Sequence, residues 1–316
     1  MSLFTSLRYL VALHQHRHFG RAAQACHVTQ PALSNAIRAL ELEFGTAIVK
    51  RGRSFECFTP EGEQIFLTAQ RMLREQEMLQ QTLKSAASAP TGTLSFGAVP
   101  SVMPIAARFS GLLQKRHPGI RITLRSLSSP QIEAGLEDLS LDLALGYTDR
   151  VLNRPSALTT LWQYNEHYYL LRRAAKPSKA GLQIAKKGCT WAAAATQPLC
   201  LLTPEMHNRS IVDDAFRQAG TQVNPVIETN SILTLGLTVL VGDVLSVLPG
   251  ALIGVLKGYG ELEALALMAP EIVTPIGMMH ASTTQTSRTL EAALQMANEP
   301  QWMAHVKHHT GMLRKT

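Results

Sequence analysis

The sequence predicts an α + α/β chain: a small helical head with a hairpin, one long connecting helix, and an α/β body. Three observations predict it. Apolar residues recur at helical spacing through the first forty-five residues, and a short basic hairpin pattern follows. A heptad-like apolar seam then runs through residues 60–87. From residue 92 onward, short apolar runs alternate with amphipathic stretches, as parallel strands joined by helices do. The chain has 316 residues, 46% of them hydrophobic and 17% charged, which suits about two domains and excludes a mostly disordered chain.

In the head, Phe4, Leu7, Val11 and His14 take the i, i+3, i+7 positions of an amphipathic helix, and Leu10 widens the stripe. Phe19, Ala22, Ala23 and Cys26 mark a second, short helix whose small residues let another helix cross closely. Val28 and Thr29 break the chain. Thr29 is a candidate N-cap, and Pro31 suits the first turn, where its missing N–H is not needed. Leu33, Ala36, Ile37, Leu40 and Phe44 then form one stripe, ended by Gly45. Two short helices at a tight turn make a helix-turn-helix. On a helical wheel Gln30, Pro31, Ser34, Asn35 and Arg38 fall opposite the stripe. Amides suit adenine, and guanidinium suits guanine or phosphate. Residues 46–58 read as two short strands around Gly52, with Lys50, Arg51 and Arg53 at the tip, a wing for the DNA backbone or the minor groove. Residues 1–60 hold seven basic and three acidic side chains, so +4 of the chain's +7 lies there, which points to a polyanion.

Thr59-Pro60-Glu61-Gly62 restarts the chain into a helix predicted to reach Ala87. Ile65, Ala69, Met72, Gln76, Leu79, Leu83 and Ala86 form its seam, polar only at Gln76. Pairing with a second copy, parallel or antiparallel, makes the protein at least a dimer; packing on its own domain is the other reading. Residues 85–92, with Pro90, read as a hinge. In the body, strands at Leu94–Ala98, Ile120–Arg125 and Leu141–Tyr147 alternate with helices at Pro104–Lys115 and Gln131–Leu139. A second series places strands at Tyr168–Leu171, Leu199–Leu202, Val223–Ile227 and Val244–Leu248, with helices at Ile211–Ala219 and Ile232–Val241. Strand Pro275–Ala281 and helix Arg288–Asn298 return to the first series. The run Ile232–Leu256 is long enough to span a membrane, but Asp243, three glycines before Leu256, Pro249 and Gly250 cut it into a buried helix, strand and turn. The four cysteines are scattered and no signal peptide is evident, so a cytoplasmic protein without membrane contact is expected.

These residues resemble the LysR-type transcriptional regulators. The family's core motif appears as Ala22-Ala23, Thr29-Gln30-Pro31-Ala32-Leu33-Ser34, Ile37 with Leu40-Glu41, and Gly45. The wing's Leu-Phe-x-Arg appears as Ile48-Val49-Lys50-Arg51, and Thr-x-x-Gly as Thr59 to Gly62, with Glu61 where a small residue is usual. More loosely, a Gly-x-Leu-x-Phe-Gly strand opens at Gly92, and Val244 to Pro249 matches a late strand ending in Leu-Pro. The resemblance implies a winged helix-turn-helix, a linker helix and a two-subdomain α/β effector domain like periplasmic binding proteins. It divides the chain at 1–59, 60–91 and 92–316, with subdomain I at about 92–162 and 267–300 and subdomain II at about 163–266. It also implies a sequence-specific regulator of promoter activity, double-stranded operator DNA as partner, homodimers assembling to a homotetramer, and RNA polymerase as a further candidate partner. The DNA-contacting set is then Arg21, Thr29, Gln30, Pro31, Ala32, Ser34, Asn35, Arg38, Lys50, Arg51 and Arg53.

Ligands of such α/β folds bind at strand ends and helix N-termini. The candidates are Pro100, Ser101, Val102 and Met103 after the first strand, and Ser128, beside Ser129, after the second. Thr203, His207, Asn208, Arg209 and Asn230 face them, with Ser231 next to Asn230. Hydroxyls, amides, a histidine and an arginine around helix starts favour a small anion, a carboxylate above all; Arg209 could instead pair with Asp213. A thiol-based redox sensor is the alternative. Peroxide-sensing relatives carry a reactive cysteine just after a histidine in this segment, whereas Asn208 follows His207 here and Cys200 lies in an apolar strand. His14 and His18 stand four apart but no third ligand is evident, so with His16 they read as surface or helix-end residues, and His305, His308 and His309 as an exposed tail; no metal is expected. No cofactor motif or catalytic motif is present, so an enzyme is not expected.

Overall fold

The structure is a computed structural model and describes residues 2–51, 55–84, 89–149, 158–282 and 286–309. The chain forms two compact units. One is built on Met1–Ala89; the other holds Pro90–Leu136, Leu141–Thr284 and Thr289–Thr316.

The first unit opens with α1 (Leu3–His16), α2 (Phe19–Ala25) and α3 (Gln30–Phe44). Leu7, Leu10, Leu13, Ala22, Ala23, Leu33, Ile37 and Leu40 close its core. The Thr29 hydroxyl accepts the Ala32 N–H and caps α3, and Gly45 ends it in the left-handed conformation, φ 64°. Phe44, expected on the inner stripe, is 45% exposed, because the helix stops there and the last turn overruns the core. The wing is an antiparallel pair, β1 (Val49–Arg51) and β2 (Phe55–Phe58). It is tied to α3 by Glu41, whose Oε1 accepts the N–H groups of Ile48 (3.0 Å) and Val49 (3.3 Å).

The long helix α4 runs Pro60–Lys84. The Thr59 hydroxyl donates to the Ala47 carbonyl (2.6 Å) and accepts the Gly62 N–H (2.9 Å), fixing where the helix leaves the wing. The expected seam divides in two. Phe66 and Ala69 are buried in the head's core, with Ile65 and Met72 packed against it. Gln76 accepts a hydrogen bond from Arg8 of α1 (3.0 Å). Leu79, further along, is 59% exposed. The proximal half thus packs on its own domain, and Leu79 lies on the uncovered half. His14, on the apolar stripe near the end of α1, is half-buried, stacked on Phe66 at 3.5 Å and bonded to Glu63 (2.9 Å); burial lowers its pKa, against that bond.

The second unit starts with β3 (Gly92–Ala98), α5 (Met103–Arg116), β4 (Ile120–Ser126), α6 (Ser129–Glu137) and β5 (Leu143–Tyr147). Then come β6 (Leu158–Arg173), the two-residue strands β7 (Gln183–Ile184) and β8 (Cys189–Thr190), α7 (Trp191–Ala195), β9 (Leu199–Leu202) and α8 (His207–Gln218). β10 (Ile227–Thr229), α9 (Ile232–Val241), β11 (Leu245–Pro249) and α10 (Gly250–Val255) follow. β12 (Leu262–Met268), β13 (Val273–Ala281), α11 (Arg288–Ala297) and α12 (Pro300–His309) complete the described elements. The sheet order is β10-β9-β11-β6-β13-β5-β3-β4, with β12 also on β6. β3 pairs in parallel with β4 and β5, and β9 in parallel with β10 and β11. The strand β6 joins these halves: residues 158–167 pair with β13, and residues 168–171 with β11. The run suspected of spanning a membrane resolves into α9, β11 and α10, and no described helix is long and apolar enough to cross one. His305, expected on an exposed tail, lies on α12 stacked on Trp302 (5.6 Å), which is itself edge-on to Phe109 (5.0 Å).

Candidate functional site

Two places gather the residues singled out in the sequence. The first is the outer face of α3. Leu33, Ala36, Ile37 and Leu40 are buried, which turns Gln30, Pro31, Asn35 and Arg38 outward, all exposed. Ala32 and Ser34 are half-buried beside them, and Thr29 caps the helix. Arg21 is exposed on α2, where the His18 ring nitrogen accepts its N–H (3.3 Å). Lys50 is exposed on β1, and Arg51 ends that strand. Arg53 lies outside the described residues. Amides and guanidinium beside the N-terminus of an exposed helix can hydrogen-bond base edges and phosphates.

The second is a cavity of about 510 Å³ in the other unit, at the ends of β3, β4, β5 and β9. Pro100, Ser101, Ser128, His207, Asn208 and Asn230 line it as expected. At its floor the hydroxyl of Tyr147 meets the Ser101 hydroxyl (3.1 Å) and accepts from the Asn208 amide (3.0 Å). The same amide donates to the Tyr168 hydroxyl (3.2 Å), which lies 3.4 Å from that of Thr274. His207 stands edge-on to the Tyr147 ring at 4.7 Å. Asn208 therefore links β5 to the crossing strand β6. Next to it is Glu166, wholly buried, accepting from the Tyr164 hydroxyl and the Ala251 N–H, each at 3.1 Å. Desolvation pushes its carboxyl up to about 8, and burial raises the phenols of Tyr147, Tyr164 and Tyr168.

Four expected residues do not line this cavity. Val102 is fully buried in the core. Met103 faces a neighbouring, mostly apolar cavity of about 670 Å³. The Thr203 hydroxyl donates to Glu205 (2.7 Å). Arg209 is buried and held by Asp213 (2.8 Å), Glu228 (2.7 Å) and the Leu202 carbonyl. Burial alone would lower its pKa, but the two carboxylates outweigh it and raise it. Its charge is neutralised within the fold. Ser129, expected beside Ser128, also lines the cavity, and Tyr147, Gln131, Glu205 and Met206 line it without having been singled out for it. A tyrosine closing an apolar strand at its C-terminal end was the signal for Tyr147.

Thiol chemistry has little to work with here. Asn208 occupies the place after the histidine, and its amide is committed to two tyrosines. Burial raises the thiols of Cys26, Cys189 and Cys200. No cluster of metal-ligating side chains occurs among the described residues.

Comparison with known proteins gives two family matches: residues 4–63 match the bacterial regulatory helix-turn-helix protein, lysR family, and residues 87–301 the LysR substrate binding domain. The hydrogen peroxide-inducible genes activator of Dickeya chrysanthemi is 36% identical over 140 residues, 44% of this chain and 46% of that protein. The HTH-type transcriptional regulator EstR of Acinetobacter baylyi is 33% identical over 149 residues, 46% of this chain and 50% of its own. The matched stretch thus spans about half the length of these relatives. Among solved structures, a full-length OxyR variant from Pseudomonas aeruginosa superposes with a TM-score of 0.70 at 25% identity, covering 93% of this chain and 94% of that one. Full-length CbnR complexed with its target DNA shares the fold, with a TM-score of 0.64 at 17% identity over 98% of this chain and all of the other.

Proposed function

The chain belongs to the LysR family of transcriptional regulators, and from that premise we propose that it binds operator DNA through α3 and the wing and adjusts promoter output when a small anion, a carboxylate above all, occupies the 510 Å³ cavity. The observation that carries the reading is the outward row Gln30, Asn35 and Arg38 on a helix whose opposite face is buried. In this reading residues 1–59 are the DNA-binding head, 60–91 the linker and 92–316 the effector-binding domain, in a cytoplasmic homodimer that pairs into a homotetramer. A ligand that prefers one arrangement of the two sheet halves around β6 shifts their equilibrium, and the assembled heads respond.

The test has two arms. Binding to DNA from the upstream region of its own gene, at two salt concentrations, should exceed binding to random duplex and weaken as salt rises. A thermal-shift panel of small carboxylates should raise the melting temperature of the wild type but not of Ser101→Ala or His207→Ala, both of which keep their DNA binding. Equal affinity for all duplexes would overturn the operator reading. Carboxylate stabilisation surviving in both variants would move the effector elsewhere.

A further inference from the structure

We propose that the ligand of this cavity is a zwitterion, a small molecule carrying one carboxylate and one ammonium group, with Ser129 at the carboxylate end and Glu205 at the ammonium end. The inference rests on the cavity being the effector site, and it narrows the ligand class within that reading.

The cavity's charge inventory leads there. Among the described residues that line it there is no lysine or arginine, and Glu205 is its one carboxylate. Arg209, the cation nearest in sequence, is spent on Asp213 and Glu228. A simple dianion would therefore meet Glu205 with only His207 to offset the repulsion. Glu205 itself is exposed; one of its oxygens takes the Thr203 hydroxyl, and it forms no ion pair among the described residues. The Thr203 hydrogen bond, together with its own backbone N–H, holds its carboxyl below the usual carboxylate range, so it is ionised at neutral pH. An ammonium group is the partner it lacks.

The opposite end has a donor to spare. Ser129 begins the nine-residue helix α6, and its hydroxyl is buried with no hydrogen-bond partner. Its neighbours are occupied: Ser128 and Gln131 cap each other, with Ser128 Oγ donating to Gln131 Oε1 (3.0 Å), and Ser101 is on Tyr147. A buried hydroxyl without an acceptor is costly, and at a helix N-terminus the favoured acceptor is an anion. Ser129 opens the helix that follows β4 and Glu205 lies in the loop after β9, so a molecule touching both bridges the two halves of the sheet.

The experiment measures binding of L-amino acids to the full chain by calorimetry, each beside its des-amino acid: alanine with propionate, aspartate with succinate, phenylalanine with 3-phenylpropionate, and so on through the set. At least one amino acid should bind about tenfold or more tightly than its des-amino partner. Glu205→Gln should erase that preference by weakening the amino acid alone, whereas Ser129→Ala should weaken both members of the pair. Des-amino acids binding as well as amino acids, or a preference indifferent to Glu205→Gln, would overturn the zwitterion and leave the cavity as a carboxylate site. If neither series binds, the effector reading of the cavity falls with it.

Discussion

Glu166 is a carboxyl that the fold keeps protonated. On β6 the alternation is regular: Gln163 and Asn165 are exposed, while Tyr164, Glu166 and Tyr168 are buried. Period two therefore puts a glutamate where the neighbouring register holds tyrosines. Its pKa rises with burial from 4.5 to about 8. Between those values the folded chain holds a proton that the unfolded chain has released. Its contribution is thus full below about pH 4.5 and is lost as pH climbs through about 8, a change on the order of a few kcal/mol. Glu166→Gln mimics the neutral form. The melting temperature of the wild type should fall relative to that variant from about pH 6 to 8.5; parallel profiles would mean that Glu166 is ionised in the fold. Sequence reasoning began this strand at Tyr168 and so left Glu166 out, because a charged residue within an apolar run argues for a strand end. Gln30 was legible, since wheel position and exposure agree. Gln30→Ala should lose about 1–3 kcal/mol on operator and less on random duplex, measured by titration. Equal loss on both would make it a backbone contact.

At the scale of elements, the turn from wing to long helix explains a motif that was readable only as a motif. Thr59 caps α4, and Gly62 sits where a Cβ would lie 2.1 Å from the Ile48 carbonyl oxygen. That neighbour is backbone and cannot step aside. Gly62→Ala should cost about 2–3 kcal/mol, seen as a lower urea midpoint at unchanged slope; a midpoint within error of the wild type would show that the wing yields instead. Helix starts were legible where a side chain makes the local bond, as at Thr29 and Ser231, and the stop of α3 where Gly45 takes the left-handed conformation and its N–H bonds the Glu41 carbonyl. Leu262–Met268 was not. Its Leu, Glu, Ala and Met residues favour helix, yet pairing with β6 makes it strand, so tertiary contact overrides propensity there.

For the whole molecule, heptad spacing states that a helix face is apolar but not which partner covers it. Ile65, Ala69 and Met72 are taken by the head itself, which leaves Leu79 exposed, while the Leu83 side chain and Ala86 lie outside the described residues. Leu79→Asp with Leu83→Asp should dissociate the assembly and weaken operator binding, since two half-sites need two linked heads. Sedimentation reads this directly, and an unchanged mass would place the interface elsewhere. The division into a DNA-binding part and an α/β part was legible because their periodicities differ. The identity of the cavity floor was not, because Tyr147, Asn208 and Tyr168 lie far apart in the chain and only the β6 crossing brings them together.

The place of β13 bears on how the chain is made. It is the last described strand in the sequence, yet it sits between β5 and β6, pairing with both. During synthesis the half containing β9, β10 and β11 has all of its described strands by Met268, where β12 ends. The half that is translated first, with β3, β4 and β5, keeps an open edge until Ala281 has left the ribosome, and α11 and α12 emerge later still. The part of the body begun earliest is finished last, and until then the β5 edge that β13 will cover has its backbone N–H and carbonyl groups unpaired by that strand.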